Sequence, residues 1–126
     1  MTQAEGYLFS ALISLVGNRY YVFPQVHLDE LMRPSKYQGK RIFAFRHINQ
    51  KSVDFALCDK TMRPLLAIEL DDLSHEQVRR KRRDSEVERI FSEAGLPLLR
   101  LKPKKDFNQQ ELISSIKEKF PDFSMF

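Results

Sequence analysis

Apolar residues recur at helical spacing in three stretches of the chain, which predict helices beginning near Thr2, Ser74 and Asn108. Each starting residue has a side-chain oxygen suited to cap a helix, and Thr2 and Glu5 match a capping box. Gly17 and Gly95 follow the first two helices. The predicted apolar faces comprise Leu8, Leu12, Leu15 and Val16 in the first helix, Val87, Ile90, Phe91 and Ala94 in the second, and Leu112, Ile113, Ile116 and Phe120 in the third.

Four shorter stretches predict β-strands at residues 20–27, 52–58, 65–71 and 96–101. Pro24 indicates an edge position or a bulge in the first strand. The second and third strands are joined by a tight turn and should pair antiparallel, while a helix before the fourth strand permits parallel pairing. We therefore predict an α/β fold with a central mixed four-stranded sheet flanked by helices, in the order α-β-β-β-α-β-α.

Between the first two strands, the sequence predicts a helical turn and a loop over residues 28–40. A short helix is predicted over residues 41–50. No acidic residues stand at a spacing typical of metal ligands near His27 or His47. Both histidines are therefore interpreted as ordinary surface or packing residues.

Acidic residues are concentrated where the third predicted strand ends. Side chains alternate between the two faces of a strand, so Glu69 and Asp71 should project from the same face. If the second and third strands are neighbours, Asp54 can lie beside both acids. The opposite face of the second strand is then predicted to carry Val53, Phe55 and Leu57.

Such a group of acids is costly, because two carboxylates about 4 Å apart repel by roughly 4 kcal/mol at an effective dielectric constant near 20. A fold retains this arrangement when a cation binds between the acids, when the acids share a proton, or when basic partners neutralise them. The pattern is therefore consistent with a metal site and equally with a structural salt-bridge network.

The composition narrows the class of protein. A length of 126 residues predicts one domain, residues 1–126. The formal net charge of +4 and a pI near 9.3 are compatible with a nucleic-acid partner. Cys58 is the only cysteine, which excludes an intrachain disulfide and a cysteine-rich zinc site and favours a reducing, cytoplasmic location. No apolar run reaches the roughly 18 residues that span a membrane, so no membrane partner is expected.

Five consecutive cations, residues 79–83, lie near the start of the second predicted helix. The helix dipole disfavours cations there, so an anion should offset them. By helical phase, Arg80 faces the acids, whereas Arg79 and Arg82 point to solvent. The run can be a solvated face or a phosphate-binding surface. The candidate nucleic-acid contacts are Arg79, Arg80, Arg82 and Arg83.

Two further residues have alternative roles. Glu5 is most simply the partner of Thr2 in the capping box, although a second role at the acidic cluster is open. A lone histidine is usually structural, but His75 follows the acidic strand at a helix start, where it can shuttle a proton near neutral pH.

The order of these motifs resembles the PD-(D/E)xK, or restriction-endonuclease-like, superfamily over residues 2–100. The most similar branch is the very-short-patch-repair (Vsr-like) endonucleases, with related uncharacterised bacterial domains. The motifs that carry the resemblance are Asp54-Phe55, Ile68-Glu69-Leu70-Asp71-Asp72, Ser74-His75, Arg83-Asp84 and Gly95-Leu96-Pro97-Leu98-Leu99-Arg100.

The resemblance implies a nuclease that uses Mg²⁺ or Mn²⁺ and favours DNA over RNA, with a further domain or a homodimer as an added source of specificity. It implies that Asp54 and Glu69 bind the metal, with a backbone carbonyl near Leu70. The other implied site residues are Glu5 as the acid of the first helix, His75 near the scissile phosphate, and Arg80 or Arg83 as the basic residue of the following helix.

The chain departs from the superfamily at one position, because Asp71 stands where the motif usually has lysine. That lysine would orient water and stabilise negative charge. His75, an arginine of the helix, or a second metal bound through Asp71 would then replace it. The alternatives are a catalytically inactive nuclease-fold module that binds nucleic acid or a protein, and a structural domain in which acids and arginines pair.

Overall fold

The computed structural model describes residues 1–32, 51–71, 76–77 and 86–124, and its elements form the predicted mixed α/β fold. The predicted helix over residues 41–50 lies outside this part of the chain. A short helix, which the sequence predicted as a helical turn, is added between the first two strands. The elements are α1 (Gln3–Val16), β1 (Tyr21–His27), α2 (Leu28–Met32), β2 (Ser52–Cys58), β3 (Pro64–Leu70), α3 (Glu86–Ala94), β4 (Leu98–Leu101) and α4 (Gln109–Lys119).

The four strands form one sheet in the order β1-β2-β3-β4. The β1–β2 and β2–β3 pairs are antiparallel, and β3 pairs with β4 in parallel, as predicted. Pro24 therefore lies on an edge strand of the sheet, where a residue without a backbone N–H is tolerated. No helix in the described residues is long and apolar enough to span a lipid bilayer.

Helices cover both faces of the sheet and enclose two clusters of buried residues. Helices α1 and α4 cover one face, and α2 and α3 cover the other. The first core cluster comprises Leu8, Leu12, Leu15, Val16, Phe55, Leu57, Leu66, Ile68, Leu99, Leu112, Ile116 and Phe123. The second core cluster comprises Leu28, Leu31, Met32, Val53, Ala56, Ala67, Ile90, Phe91, Ala94 and Leu98.

The predicted alternation of β2 is wrong at Val53, which belongs to the second core cluster and not to the cluster of Phe55. The register of β2 with β1 runs unbroken through the same place. Gln25 lies opposite Asp54, between the Pro24–Phe55 and Val26–Val53 pairs, and has a positive φ of 52°. This left-handed residue distorts the edge strand locally beside Asp54.

The predicted N-terminal caps at Thr2 and Asn108 are confirmed, while the predicted cap at Ser74 lies outside the described residues. The Thr2 hydroxyl accepts a hydrogen bond from the Glu5 N–H at 3.2 Å, and Glu5 Oε2 accepts one from the Thr2 N–H at 2.9 Å. The Asn108 side chain likewise caps α4. Helix α3 ends at Ala94, before Gly95, whose φ of 68° suits glycine.

Three strands have boundaries that differ from the prediction, and β1 begins at Tyr21, one residue after its predicted start. Strand β4 begins at Leu98, two residues after the predicted start, because the Leu96 N–H instead donates to the Phe91 carbonyl at the end of α3 (3.1 Å). Strand β3 spans Pro64–Leu70, so the predicted 65–71 is displaced by one residue. Asp71 still donates its N–H to the Leu101 carbonyl at 2.7 Å, which holds it beside the sheet.

Candidate functional site

Asp54 and Glu69 meet where the pairing of β2 with β3 ends. The last regular pair there is Phe55 with Ile68, so Asp54 and Glu69 are the next residues opposite each other. The Asp54 N–H donates to Glu69 Oε1 at 3.2 Å, and Asp54 Oδ2 accepts from the Leu70 N–H at 2.7 Å. Each carboxylate is thus held by the backbone of the neighbouring strand. The structure brings the two acids together, as the sequence predicted.

Glu5 joins this pair of acids from the start of α1. Its Oε2 atom accepts hydrogen bonds from the Thr2 N–H and from Gln25 Nε2, the latter at 3.3 Å. Its carboxyl group also hydrogen-bonds with that of Asp54. Glu5 therefore has both roles that the sequence left open, as a helix-capping residue and as a member of the acidic cluster.

The environment of Asp54 favours its protonated form. Burial is the largest cause that raises the pKa of Asp54 above its ordinary value of 3.8. The negative charge and hydrogen bond of Glu5 raise the pKa further, as does the charge of Asp71, while the hydrogen bond from the Leu70 N–H opposes them. Protonation of Asp54 therefore relieves part of the repulsion within the acidic cluster.

Asp71 is neutralised in a different way, by Arg100 of β4. Arg100 Nη1 lies 3.2 Å from Asp71 Oδ2, and Nη2 lies 2.7 Å from Glu88 Oε1. Arg100 Nε also donates to Glu88 Oε1, at 3.0 Å. The side chains of Arg100 and Asp71 are only 6% and 7% exposed. One buried guanidinium therefore ties β3 and β4 to α3.

The acids fit a magnesium or manganese site only in part. Within the described residues, no three His, Cys, Asp or Glu side chains form a ready-made ligand set. Asp54 and Glu69 nevertheless offer hard carboxylate oxygens, and Mg²⁺ is usually bound through one or two carboxylates with several waters. Asp71, predicted as a third ligand, has one oxygen engaged by Arg100. Asp54 and Glu69 are therefore the two carboxylates that could hold such an ion, and their role as metal ligands stays a prediction.

The remaining predicted site residues lie outside the described part of the chain. They are His75, Arg79, Arg80, Arg82 and Arg83, and the assignment of Arg80 to the sheet side stays a prediction. The described residues also include one histidine, His27, and one cysteine, Cys58. His27 is exposed, and burial raises the pKa of the Cys58 thiol to about 11, which disfavours the thiolate that a metal requires.

Gln25, Glu88 and Arg100 were not predicted as partners of the acids. A signal for Arg100 was present, because parallel pairing of β3 and β4 places Arg100 directly beside Glu69. In its structural alternative, the sequence interpretation paired the acids with arginines of the following helix, which lie outside the described residues. Gln25 reaches Glu5 from the distorted position in β1, which no pattern in the sequence indicates.

The family of the chain is shown by sequence comparison. The family model "Protein of unknown function (DUF2726)" matches residues 1–120, and the chain belongs to that family. No curated protein and no solved structure matches it. The family description assigns no activity, so function must be argued from the site.

Replacing Arg100 with methionine should destabilise the protein strongly. The change removes the cation between Asp71 and Glu88 and leaves a buried carboxylate without it, so the free energy of unfolding should fall by about 3 kcal/mol. Lys104→Met is the matched control, because the Lys104–Glu111 pair is exposed and should contribute no more than about 1 kcal/mol. Urea denaturation measures both values, and equal losses would contradict the structural role of Arg100.

Asp54→Asn should stabilise the metal-free protein, and the gain should grow as the pH rises. Between pH 3.8 and the raised folded pKa, the folded protein binds the Asp54 proton more tightly than the unfolded chain does. The wild-type free energy of unfolding therefore falls as the pH rises through this window, whereas asparagine does not titrate. Asparagine can still accept the Leu70 N–H. Urea denaturation from about pH 4 to about pH 7 in EDTA measures the difference.

Asp59→Asn is a control of opposite sign for this titration. The pKa of Asp59 is lowered, chiefly by hydrogen bonds from the Thr61 hydroxyl and the Arg63 N–H. Its stabilising contribution is present above pH 3.8 and is lost as the pH falls below that value, so the wild type should lose stability relative to Asp59→Asn when the titration is extended to about pH 2. A difference between wild type and Asp54→Asn that did not change between about pH 4 and about pH 7 would contradict the raised pKa of Asp54.

Proposed function

We propose that the chain is a divalent-metal-dependent nuclease that hydrolyses DNA phosphodiester bonds. The observation that carries this proposal is the meeting of Asp54 and Glu69 at one strand end, with Glu5 bonded to Asp54. Carboxylates that need a proton to lie together in the metal-free protein are suited to receive a cation. The resemblance of the motifs to PD-(D/E)xK nucleases and the Vsr-like branch supplies the reaction class.

Asp54 and Glu69 would hold Mg²⁺ or Mn²⁺. A bound ion of this kind supplies water of lowered pKa and neutralises charge on the phosphate. Asp54 enters the site already oriented, because the Leu70 N–H fixes one of its oxygens. Glu5 is fixed by the cap of α1 and by Gln25, so it orients the other side of Asp54.

Asp71 stands where the superfamily motif has a lysine, so the site lacks the positive charge of that lysine. Because Arg100 holds its carboxylate, Asp71 serves in this proposal to fix the end of β3, not to stabilise developing negative charge. His75 and the arginines of residues 79–83 are then the groups assigned to the phosphate. His75 is assigned the proton transfer, and Arg80 or Arg83 the charge stabilisation.

A second candidate function is a catalytically inactive nuclease-fold module that binds nucleic acid or a protein. The pairing of Asp71 with Arg100 favours it, because a buried ion pair stands at the end of β3 where the motif has a lysine. In this alternative the acids are retained for structure. The net charge of +4 suits nucleic-acid binding in either case.

Asp54→Asn and Glu69→Gln should each abolish Mg²⁺- or Mn²⁺-dependent cleavage while leaving the circular dichroism spectrum unchanged. Each change removes a charged ligand and conserves the shape of the side chain. His75→Ala should lower the cleavage rate by roughly 10²–10⁴-fold, the usual span for a positioned acid or base. Cleavage of labelled single- and double-stranded DNA and RNA, followed on gels, measures these effects.

Glu118→Gln is the matched control, because it removes an equal charge from an exposed position on α4 and should cleave like the wild type. Retention of full activity by both Asp54→Asn and Glu69→Gln would refute the proposed site. If the wild type cleaved none of the four substrates with either metal, the non-catalytic module would replace the nuclease.

A further inference from the structure

A cleft of about 340 Å³ lies between the end of β4 and the start of α4. Its volume falls in the usual range of roughly 300–1,000 Å³ for small-molecule sites. Cationic, neutral polar and aromatic side chains contribute to one concave surface. Those that matter for its chemistry are Lys102, Lys104, Phe107, Asn108, Glu111 and Ser115.

The charge of the cleft suits an anion. Arg100, Lys102 and Lys104 line it, against one acid, Glu111. Arg100 is committed to Asp71 and Glu88, so the two lysines are the cations that a ligand can reach. The Lys104–Glu111 pair is 3.4 Å apart and exposed, and exposed pairs of this kind contribute little. A phosphate can therefore compete for Lys104.

Phe107 gives the cleft an aromatic surface. Its side chain is half-buried and packs against the first core cluster, so the ring is anchored on one side and lines the cleft. Bases of single-stranded nucleic acid stack on such rings whatever their sequence. A duplex keeps its bases stacked on one another, so an aromatic ring inside a cleft favours an unpaired strand.

The cleft lies at the same edge of the sheet as the acidic cluster. Strands β3 and β4 run parallel and end together, with Leu70 beside Leu101 and the Asp71 N–H bonded to the Leu101 carbonyl. Lys102 is the next residue after β4. Neighbouring strands are about 4.8 Å apart, so the cleft begins beside the end of the strand that carries Glu69.

The cleft opens on the face that α1 and α4 cover, because Leu112 belongs to the first core cluster and Phe107 packs against it. Glu69 follows Ile68 of that cluster and alternates to the opposite face. An extended polymer therefore contacts both places by passing across the ends of β3 and β4.

We propose that this cleft binds one nucleotide of a single-stranded nucleic acid next to the acidic cluster. Lys102 and Lys104 contact phosphates of the backbone, and Phe107 stacks on the base. The assignment rests on the proposed function, since it places the strand that the acids would cut. Binding is nevertheless measured without cleavage, so the two proposals can fail separately.

The test is binding of a fluorescein-labelled single-stranded DNA of about 12 nucleotides, within the roughly 4–16 nucleotides of single-strand sites. Fluorescence anisotropy is measured in EDTA at several salt concentrations. Lys102→Ala/Lys104→Ala should weaken binding at least about tenfold and reduce the salt slope by about 1.4, or about 0.7 for each phosphate that a lysine no longer neutralises. Phe107→Leu should weaken binding roughly tenfold with the slope unchanged.

Lys117→Ala/Lys119→Ala is the matched control. It removes the same charge from exposed positions in the last turn of α4, away from the cleft residues, and should keep the wild-type salt slope and affinity. Far-ultraviolet circular dichroism confirms that each variant is folded. Phe107→Tyr keeps an aromatic ring and should restore the binding that Phe107→Leu weakens.

Four outcomes would overturn the proposal. The first is wild-type affinity in Lys102→Ala/Lys104→Ala or in Phe107→Leu, even if the protein cleaves DNA. The second is a wild type that does not bind the single strand. The third is a preference for duplex that Phe107→Leu does not change. The fourth is displacement of the strand by adenosine monophosphate at equal nucleotide concentration, which would indicate a site for free nucleotides. Loss of cleavage in Asp54→Asn with intact binding would support both proposals.

Discussion

The candidate site depends on a reciprocal exchange between two strands. At the end of the β2–β3 pair, the backbone ladder is continued by side chains: Glu69 accepts the Asp54 N–H, and Asp54 accepts the Leu70 N–H. Buried N–H groups need partners, and here two carboxylates supply them. The acids are therefore part of the sheet's own hydrogen bonding. This fixes their position more firmly than a surface cluster would be fixed.

At this strand end, the repulsion among the carboxylates is relieved in two different ways. Asp71 is balanced by a buried guanidinium, which is permanently charged. Burial and the nearby charges of Glu5 and Asp71 favour the protonated form of Asp54, and a cation can displace that proton. The first solution makes a structural link among β3, β4 and α3. The second leaves a place where ligand binding can replace protonation, and Asp54 and Glu69 are the two carboxylates that we propose as metal ligands.

Much of this arrangement follows from regular patterns in the sequence. Helical spacing, capping residues and strand alternation predicted the elements, the mixed sheet and the meeting of Asp54 with Glu69. Arg100, the partner of Asp71, was predictable in principle. Parallel pairing places Arg100 beside Glu69, and Glu69 projects from the same strand face as Asp71. The contact of Gln25 with Glu5 was not predictable, because it depends on the left-handed backbone of Gln25 in an edge strand.

The central claim is that Asp54 and Glu69 form a divalent-cation site. Titration with Mn²⁺, followed by the electron paramagnetic resonance signal of the free ion, tests it without substrate and without assuming catalysis. The wild type should bind Mn²⁺ and release a proton when the pH is near the folded pKa of Asp54. Asp54→Asn and Glu69→Gln should bind Mn²⁺ far more weakly. Equal Mn²⁺ binding by the wild type and both variants, or none by the wild type, would contradict the claim.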